Sequence, residues 1–350
     1  MKKKIIILST VLVVLGVIIV SALLCFKLVD AISYSSFYDI AEDEFYIPGL
    51  MDGFVPQGFE YVPEEKVFLA CGYMSNGEDA SRVYVISEDG DDYYYTELTK
   101  AYVKENYTGH TGGITYYEEF VYITGSDGID VFDFADILDR GTTSTPLLAT
   151  VDTSKYDVDP AFCFIDGESL FVGNFYNGEG HENHELDVEG RDKNHAVMLS
   201  FSLLSSREKE YYIAAQPNAI YSIPDKVQGM CVIPAQYAAD GTVLSTGKLV
   251  ISTSYGFNAS NIYIHDVKKI AESTYTNGAK EMIGVENIPL YVVDSKTLVE
   301  TVEAPPMTEE IVYHNGKVWI MNKSASNKYI FGKFTTGNYL YAFEYPITNK

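Results

Sequence analysis

The chain has 350 residues, of which 49 are acidic and 25 are Lys or Arg, so its formal charge at neutral pH is −24. Nucleic-acid backbones and anionic lipid headgroups repel such an acidic body, which disfavours both as direct partners and leaves solubility as the simplest reason for the charge. Its 29 tyrosines and 18 phenylalanines suit half-buried pleated sheets, so the composition favours an all-β fold.

Residues 5–26 form an almost unbroken apolar run, preceded by Lys2, Lys3 and Lys4 and followed by Lys27. A helix of this length crosses about 30 Å of hydrocarbon. The lysines ahead of the run predict a cytoplasmic N-terminus and a body outside the cell membrane. The alternatives are a cleaved signal peptide, whose apolar core is shorter, and a lipoprotein signal ending at Cys25. Leucines stand where both signals need small residues, so we expect an uncleaved single-span anchor.

The chain then divides into three parts. Residues 1–32 are the cytoplasmic stub and transmembrane anchor, 33–53 a linker with one strand, and 54–350 the extracellular domain. Cys71, Cys163 and Cys231 lie inside apolar runs. We expect them to be small buried side chains and not a disulfide framework, because free cysteine packs like a hydrophobic residue.

Short alternating or apolar runs with turn residues between them predict many short strands, and helical periodicity is limited to residues 134–138 and 267–273. The runs group into five similar units. The units comprise residues 57–62, 66–70, 82–87 and 93–98; 112–116, 120–123, 128–133 and 146–151; 161–165, 169–172, 196–201 and 210–213; 228–232, 248–252, 261–265, 290–294 and 298–302; and 310–314, 317–321 and 339–343.

Repeated units of four strands predict a β-propeller, with five blades favoured and six or seven as the alternatives if insertions contain further strands. The last unit has three clear strands, and residues 44–48 are expected to supply the fourth and close the ring. A pair of β-sandwiches is the competing interpretation, because sandwiches also contain many evenly spaced strands.

In an antiparallel blade, the loop that enters the first strand and the loop between the second and third strands lie on one face, around the central channel. Glycines after the polar entry residues would let the innermost strands approach closely. Binding residues concentrate on such loops. The candidate ligand-binding residues on this face are Gln57, His110, Asp159, Asn174, Gln228, Tyr255, Glu310, Ser324 and Lys328.

Oxygen donors of this ring suit Ca²⁺, with Asp159 and Glu310 as candidate metal ligands. His181 and His184, in the long loop at 179–194, are further metal candidates because histidine pairs occur in zinc sites. The alternative is that these polar groups only hydrogen-bond one another and trapped water.

The entry motifs at 56–58, 110–114 and 228–230, together with the runs 309–320 and 324–329, resemble exported, membrane-anchored β-propeller proteins of Gram-positive bacteria. The resemblance covers most of the chain after about residue 54 and implies the architecture, not an activity. More distantly, the layout is similar to propellers of the gluconolactonase and strictosidine synthase type, which hold a metal in the channel. Their metal ligands are not matched residue by residue here, so a shared lactonase activity does not follow.

The leading hypothesis is a membrane-anchored extracellular propeller, monomeric, that binds an extracellular ligand or protein at its channel face without turnover. The alternative is a Ca²⁺-dependent hydrolase or lyase with Glu310 or His110 as catalytic base and Gln57 and Gln228 as orienting groups. A third hypothesis is a purely structural protein of the cell envelope.

Overall fold

A computed structural model describes residues 2–101, 105–126, 128–178, 184–206, 210–275, 278–329, 332 and 337–347. The chain begins with a helix, Lys2–Ser33, and a short second helix, Ser35–Tyr38. Residues Ser9–Ser33 are long and apolar enough to cross a membrane, and none of their most apolar stretch is buried against the rest of the protein. An exposed apolar helix of this length is consistent with a membrane span or a signal anchor.

The rest of the chain is a ring of five four-stranded blades, two of which carry additional outer strands. Blade 1 contains, from the axis outward, Phe54–Val62, Val67–Met74, Arg82–Ser87, Tyr93–Thr99 and Ser144–Pro146; blade 2 contains Ile114–Tyr117, Phe120–Thr124, Gly128–Asp133 and Ala149–Asp152. Blade 3 contains Pro160–Asp166, Ser169–Asn174, Ala196–Ser202, Ala219–Ile223, Leu290–Val292 and Thr274–Tyr275; blade 4 contains Val227–Ile233, Lys248–Thr253, Ser260–Asp266 and Leu298–Ala304. Blade 5 contains Thr308–His314, Lys317–Asn322, Tyr339–Glu344 and Glu42–Tyr46.

The remaining elements are short and lie outside the blades. They are a hairpin of Gln236–Tyr237 and Val243–Ser245, the helices Phe134–Leu138, Val267–Glu272 and Gly278–Ile283, and the 3₁₀ turns Leu50–Asp52, Ser154–Tyr156 and Glu210–Tyr212. The first two of these helices confirm the predicted ones. Asp133 and Asp266 cap them by accepting hydrogen bonds from backbone N–H groups of the first turn.

The ring is closed by the N-terminal strand, as predicted. Glu42–Tyr46 pairs antiparallel with Tyr339–Glu344 at the outer edge of blade 5. Lys317 supports this closure with its Nζ 2.9 Å from carboxylate oxygens of both Glu42 and Glu44. Because blade 5 combines strands from both ends of the chain, the first and last blades are held together and the ring stays closed.

The core lies between the blades and not in the channel. The described buried apolar residues fall into five clusters, each between two neighbouring blades. Because side chains alternate along a strand, each blade contributes one face to each of two clusters. This arrangement contradicts the β-sandwich alternative and the six- and seven-bladed alternatives.

Three predicted strands were wrong in detail. The predicted strand 146–151 is two strands, Ser144–Pro146 beside blade 1 and Ala149–Asp152 in blade 2. Glu210–Tyr212 is a 3₁₀ turn, and Ala219–Ile223 supplies the fourth strand of blade 3 instead. Leu290–Val292, predicted for the fourth unit, runs parallel to that strand in blade 3. Each of these segments is a short apolar run whose sheet is chosen by distant partners and not by its own pattern.

Candidate functional site at the channel mouth

The five innermost strands begin on one face of the ring, called the entry face here, and the glycines at their starts are required by close packing. A Cβ on Gly58 would lie 2.7 Å from the backbone of Gly113 and Ile114 in blade 2. A Cβ on Gly113 would lie 2.5 Å from the backbone N of Cys163 in blade 3, and one on Gly229 would lie 2.6 Å from the Cα of Glu310. The predicted packing reason for the entry glycines is therefore confirmed.

Below the entry face, the channel holds two carboxyl groups from different blades, Glu310, which is buried, and Glu60, which is half-buried. Glu310 Oε1 accepts a hydrogen bond of 2.9 Å from the backbone N of Met230, and its Oε2 has no partner among the described residues. Glu60 Oε2 accepts 2.8 Å from the Thr115 hydroxyl. Burial raises the pKa of Glu60 to about 7 and raises that of Glu310 as well. These acids are thus driven toward the neutral, protonated form.

The half of the channel away from the entry face opens into a polar cavity of about 100 Å³, lined in part by Glu60, Glu310, Cys163 and Cys231. Burial raises the pKa of both thiols well above the usual range, so they stay protonated and inert. Within the described ranges, no group of three or more His, Cys, Asp or Glu side chains has the arrangement of a metal site. Calcium in the channel stays a prediction.

At the channel mouth, side chains from blades 1, 2 and 5 come together. Lys328 Nζ donates a hydrogen bond of 2.6 Å to the hydroxyl of Tyr73 and lies 4.5 Å from the centre of that ring. The ring of His110 lies 5.0 Å from the ring of Tyr73. Tyr329 borders the same group, with Lys328 Nζ 5.8 Å from its ring. Residues far apart in the sequence therefore form one cluster, which we call the mouth cluster: Tyr73, His110, Lys323, Lys328 and Tyr329.

The mouth cluster contains one ion pair and one histidine with a lowered pKa. Lys323 Nζ lies 2.8 Å from Glu309 Oε1, and both side chains are largely buried. Burial raises the pKa of Glu309 to about 7. Although His110 keeps contact with solvent, desolvation of its ring and the ammonium groups of Lys323 and Lys328 lower its pKa to about 4. The imidazole is therefore neutral at neutral pH, able to donate or accept a hydrogen bond.

The other predicted site residues are distributed as follows. Gln57 is buried, and its Nε2 donates to its neighbour Pro56 O at 2.6 Å. Gln228 Nε2 donates to Ser254 O at 3.2 Å. Ser324 is buried beside the mouth, whereas Asp159 is exposed.

Asn174 and His184 contact each other inside blade 3. The Asn174 amide lies 3.4 Å from His184 Nδ1, and His184 Nε2 lies 3.3 Å from Tyr156 O, with both residues fully buried. Among the metal candidates, His181 lies outside the described residues. Glu310 bonds to blade 4, so the structure does not join it to His184 in one site.

The structure places His110, Ser324 and Lys328 at or beside the channel mouth, and the predicted site residues did not include Tyr73, Lys323 and Tyr329. Tyr73 stands near the end of a second strand, at Val67–Met74. Its position just before a loop on the entry face is the pattern that would have indicated it.

The comparisons with known proteins bear on the fold alone. No protein-family model matches the sequence, and no curated protein sequence matches it. Among solved structures, the chain is similar to an exo-β-1,3-galactanase from Phanerochaete chrysosporium, with 8% identity, 88% of this chain and 64% of that chain covered, and a TM-score of 0.45. It is also similar to BamB from Moraxella catarrhalis, with 6% identity, 85% of this chain and 84% of that chain covered, and a TM-score of 0.32.

A putative 6-phosphogluconolactonase from Bacteroides uniformis is a further match, with 9% identity, 75% of this chain and 63% of that chain covered, and a TM-score of 0.31. Likeness of this degree says nothing about ligand or activity. The fold itself defines the chain as a five-bladed β-propeller preceded by a helix apolar enough to span a membrane.

Proposed function

We propose that the protein is a membrane-anchored extracellular propeller that binds an anionic ligand, or an anionic group of a larger partner, at the mouth cluster without chemical turnover. The observation that carries the proposal is the position of Lys328. Its side chain is exposed at the mouth, hydrogen-bonds only to a tyrosine hydroxyl, and has no carboxylate partner in the described part of the chain.

An unneutralised ammonium group is informative in this protein because the chain as a whole carries a charge of −24. The neighbouring cation, Lys323, is already paired with Glu309, so Lys328 is the cation of the mouth cluster that is left to pair with a ligand. An ammonium group donates charge-assisted hydrogen bonds to carboxylates and phosphates. The neutral imidazole of His110 and the ring of Tyr73 add a hydrogen-bonding group and an apolar face beside it.

The test uses the full chain in nanodiscs of zwitterionic lipid, with galacturonate and inorganic phosphate as probes and calorimetric titration as the readout. Lys328→Met should weaken binding of the anionic probe about tenfold or more, since a hydrogen bond to a charged group contributes about 1.5–3 kcal/mol. Lys268→Met removes the same charge from an exposed helix and should leave binding unchanged. Galactose, the neutral analogue of galacturonate, should not bind at the mouth.

If neither anion binds, or if the two lysine variants bind the anion equally well, the proposal is wrong.

The extracellular placement rests on Lys2, Lys3 and Lys4 ahead of the apolar helix, because positive residues flanking a span remain in the cytoplasm. A reporter fused after the C-terminal residue that is active only outside the cytoplasm should be active. Activity of a cytoplasm-specific reporter at the same position would reverse the assigned orientation.

A further inference from the structure

A groove of about 520 Å³ lies between blades 3 and 4, separate from the mouth cluster. Its walls come from the segments 192–194 and 224–226 of blade 3, the loop at 253–259 of blade 4, and the turn at 294–295. This volume falls within the range of about 300–1,000 Å³ that is usual for small-molecule sites. The groove is therefore large enough for a ligand bigger than a simple ion.

The base of the groove is one face of the strand Ser260–Asp266. Asn261, Tyr263 and His265 alternate along this strand and all line the groove, whereas Ile262 and Ile264 face the core between blades 4 and 5. Because strand side chains alternate between faces, the three polar or aromatic groups form one row. His265 is the innermost of the three, with only 2% of its surface exposed.

The hydrogen bonds around His265 determine which atom is available to a ligand. The Thr297 hydroxyl donates its single hydrogen to Asp294 O at 2.9 Å. With the Thr297 hydrogen on Asp294 O, we assign Nδ1 as the donor in the contact of 2.9 Å between His265 Nδ1 and Thr297 Oγ1. In a neutral imidazole, Nε2 is left as an acceptor, and it is buried without a partner among the described residues. Burial lowers the pKa of His265 to about 4, consistent with the neutral form.

We propose that this groove is a second binding site, which takes a neutral polyhydroxylated ligand, namely a saccharide, with a ligand hydroxyl donating to His265 Nε2. A buried acceptor with no donor costs about 1–3 kcal/mol, and a hydroxyl of the ligand removes that cost. Tyr255, with 48% of its surface exposed, and Tyr263 present aromatic faces to the apolar side of a sugar ring. The amides of Asn258 and Asn261 supply both donors and acceptors.

The charge balance of the groove favours a neutral ligand over an anion or a cation. Lys193 is paired with Glu185 outside the groove at 2.7 Å, and Arg191 holds Asp294 through two hydrogen bonds of 2.6 and 2.8 Å. The described walls carry three carboxylates and two cations, Asp192, Asp225, Asp294, Lys193 and Lys226, and the pairs with Arg191 and Glu185 neutralise one of each sign, so no strong excess of either charge faces a ligand. The site therefore differs in ligand class from the mouth cluster.

The experiment exposes the full chain in nanodiscs to an array of neutral and acidic oligosaccharides and then measures the affinity of the best neutral binder by calorimetry. Tyr255→Ala removes an exposed ring without touching the core and should weaken binding about fivefold or more. His265→Phe keeps a ring of similar size, removes the acceptor and should weaken binding about tenfold or more, as expected for one buried hydrogen bond. Tyr237→Ala removes another exposed tyrosine, 62% exposed, from the hairpin that follows the first strand of blade 4 and is the matched control.

The melting temperature of His265→Phe is measured alongside to show whether this variant folds. If His265→Phe does not fold, the result for Tyr255→Ala tests the proposal. Binding that falls in Tyr255→Ala, persists in Tyr237→Ala and is indifferent to Lys328→Met supports a saccharide site in the groove. Absence of neutral saccharide binding overturns the proposal, as does binding that Tyr255→Ala leaves unchanged. Because Lys328→Met reports on the mouth cluster alone, either site can fail without the other.

Discussion

Replacing Gly58 with alanine tests how closely the innermost strands pack. The new Cβ would lie 2.6 Å from Cys71 Sγ and 2.7 Å from both the Gly113 carbonyl carbon and the Ile114 nitrogen. The two latter atoms are backbone atoms of blade 2, so they cannot move aside as the end of a side chain can. Gly58 does not have a positive φ, and the cost is therefore steric and not conformational.

Overpacking of this kind costs about 1–3 kcal/mol, and contact with two backbone atoms places Gly58→Ala near the upper end. Alanine also stabilises by about 0.4–1 kcal/mol through the entropy of the unfolded chain. We therefore expect a net loss of about 2 kcal/mol in the free energy of unfolding. Urea titration can follow this loss through the fluorescence of Trp319, the single tryptophan, which is 6% exposed between blades 5 and 1.

Gly141→Ala is the control for this substitution. Its Cβ would meet only the carboxylate of Asp139, at 3.3 Å, on the surface, so we expect a change within about 0.5 kcal/mol. Equal stability of Gly58→Ala and wild type would refute the close packing of blades 1 and 2, and with it the packing explanation of the entry glycines.

Two further predictions concern the channel and the closure of the ring. Because burial raises the pKa of Glu60 from 4.5 to about 7, Glu60 stabilises the fold below its unfolded pKa and loses this contribution as the pH rises through 7. Each pKa unit is worth about 1.4 kcal/mol. The free energy of unfolding of Glu60→Gln, measured by urea titration relative to wild type, should therefore rise by about 3 kcal/mol between pH 5 and pH 8. Parallel pH profiles of the two proteins would contradict this. Phe45→Ala should cost about 3–5 kcal/mol, because Phe45 packs 5.7 Å from Phe68 and 6.0 Å from Trp319 in the closing strand, and calorimetric melting should show it. Tyr46→Ala, 60% exposed on the same strand, should melt close to wild type, and an equal loss in both variants would argue against closure through this core.

The mouth cluster and the groove differ in how they relate to the chain order. The mouth combines side chains of blades 1, 2 and 5, and it depends on the closed ring, since blade 5 is completed by Glu42–Tyr46. The groove uses neighbouring blades 3 and 4 and depends on their local packing. Loss of ring closure should therefore disturb the mouth before the groove.

Most of the architecture could be predicted from the sequence by itself. Alternating apolar runs, turn residues and their repetition determined the all-β class, the five units and the closing strand, because a strand's pattern of period two is local. The packing role of the entry glycines could also be predicted, since a missing side chain beside a polar residue at the start of a strand indicates close backbone approach. The apolar N-terminal run predicted its own helix for the same reason, because length and hydrophobicity belong to the segment.

Tertiary structure alone decided which outer strands belong to which blade and which side chains meet. Ser144–Pro146 and Leu290–Val292 pair in parallel with outer strands of blades 1 and 3, and an apolar run carries no information about its sheet partner. The meeting of Tyr73 with Lys328, and the unpartnered Nε2 of His265, likewise depend on residues distant in sequence. A local pattern specifies the element, whereas a site is formed by the long-range contacts that the closed ring imposes.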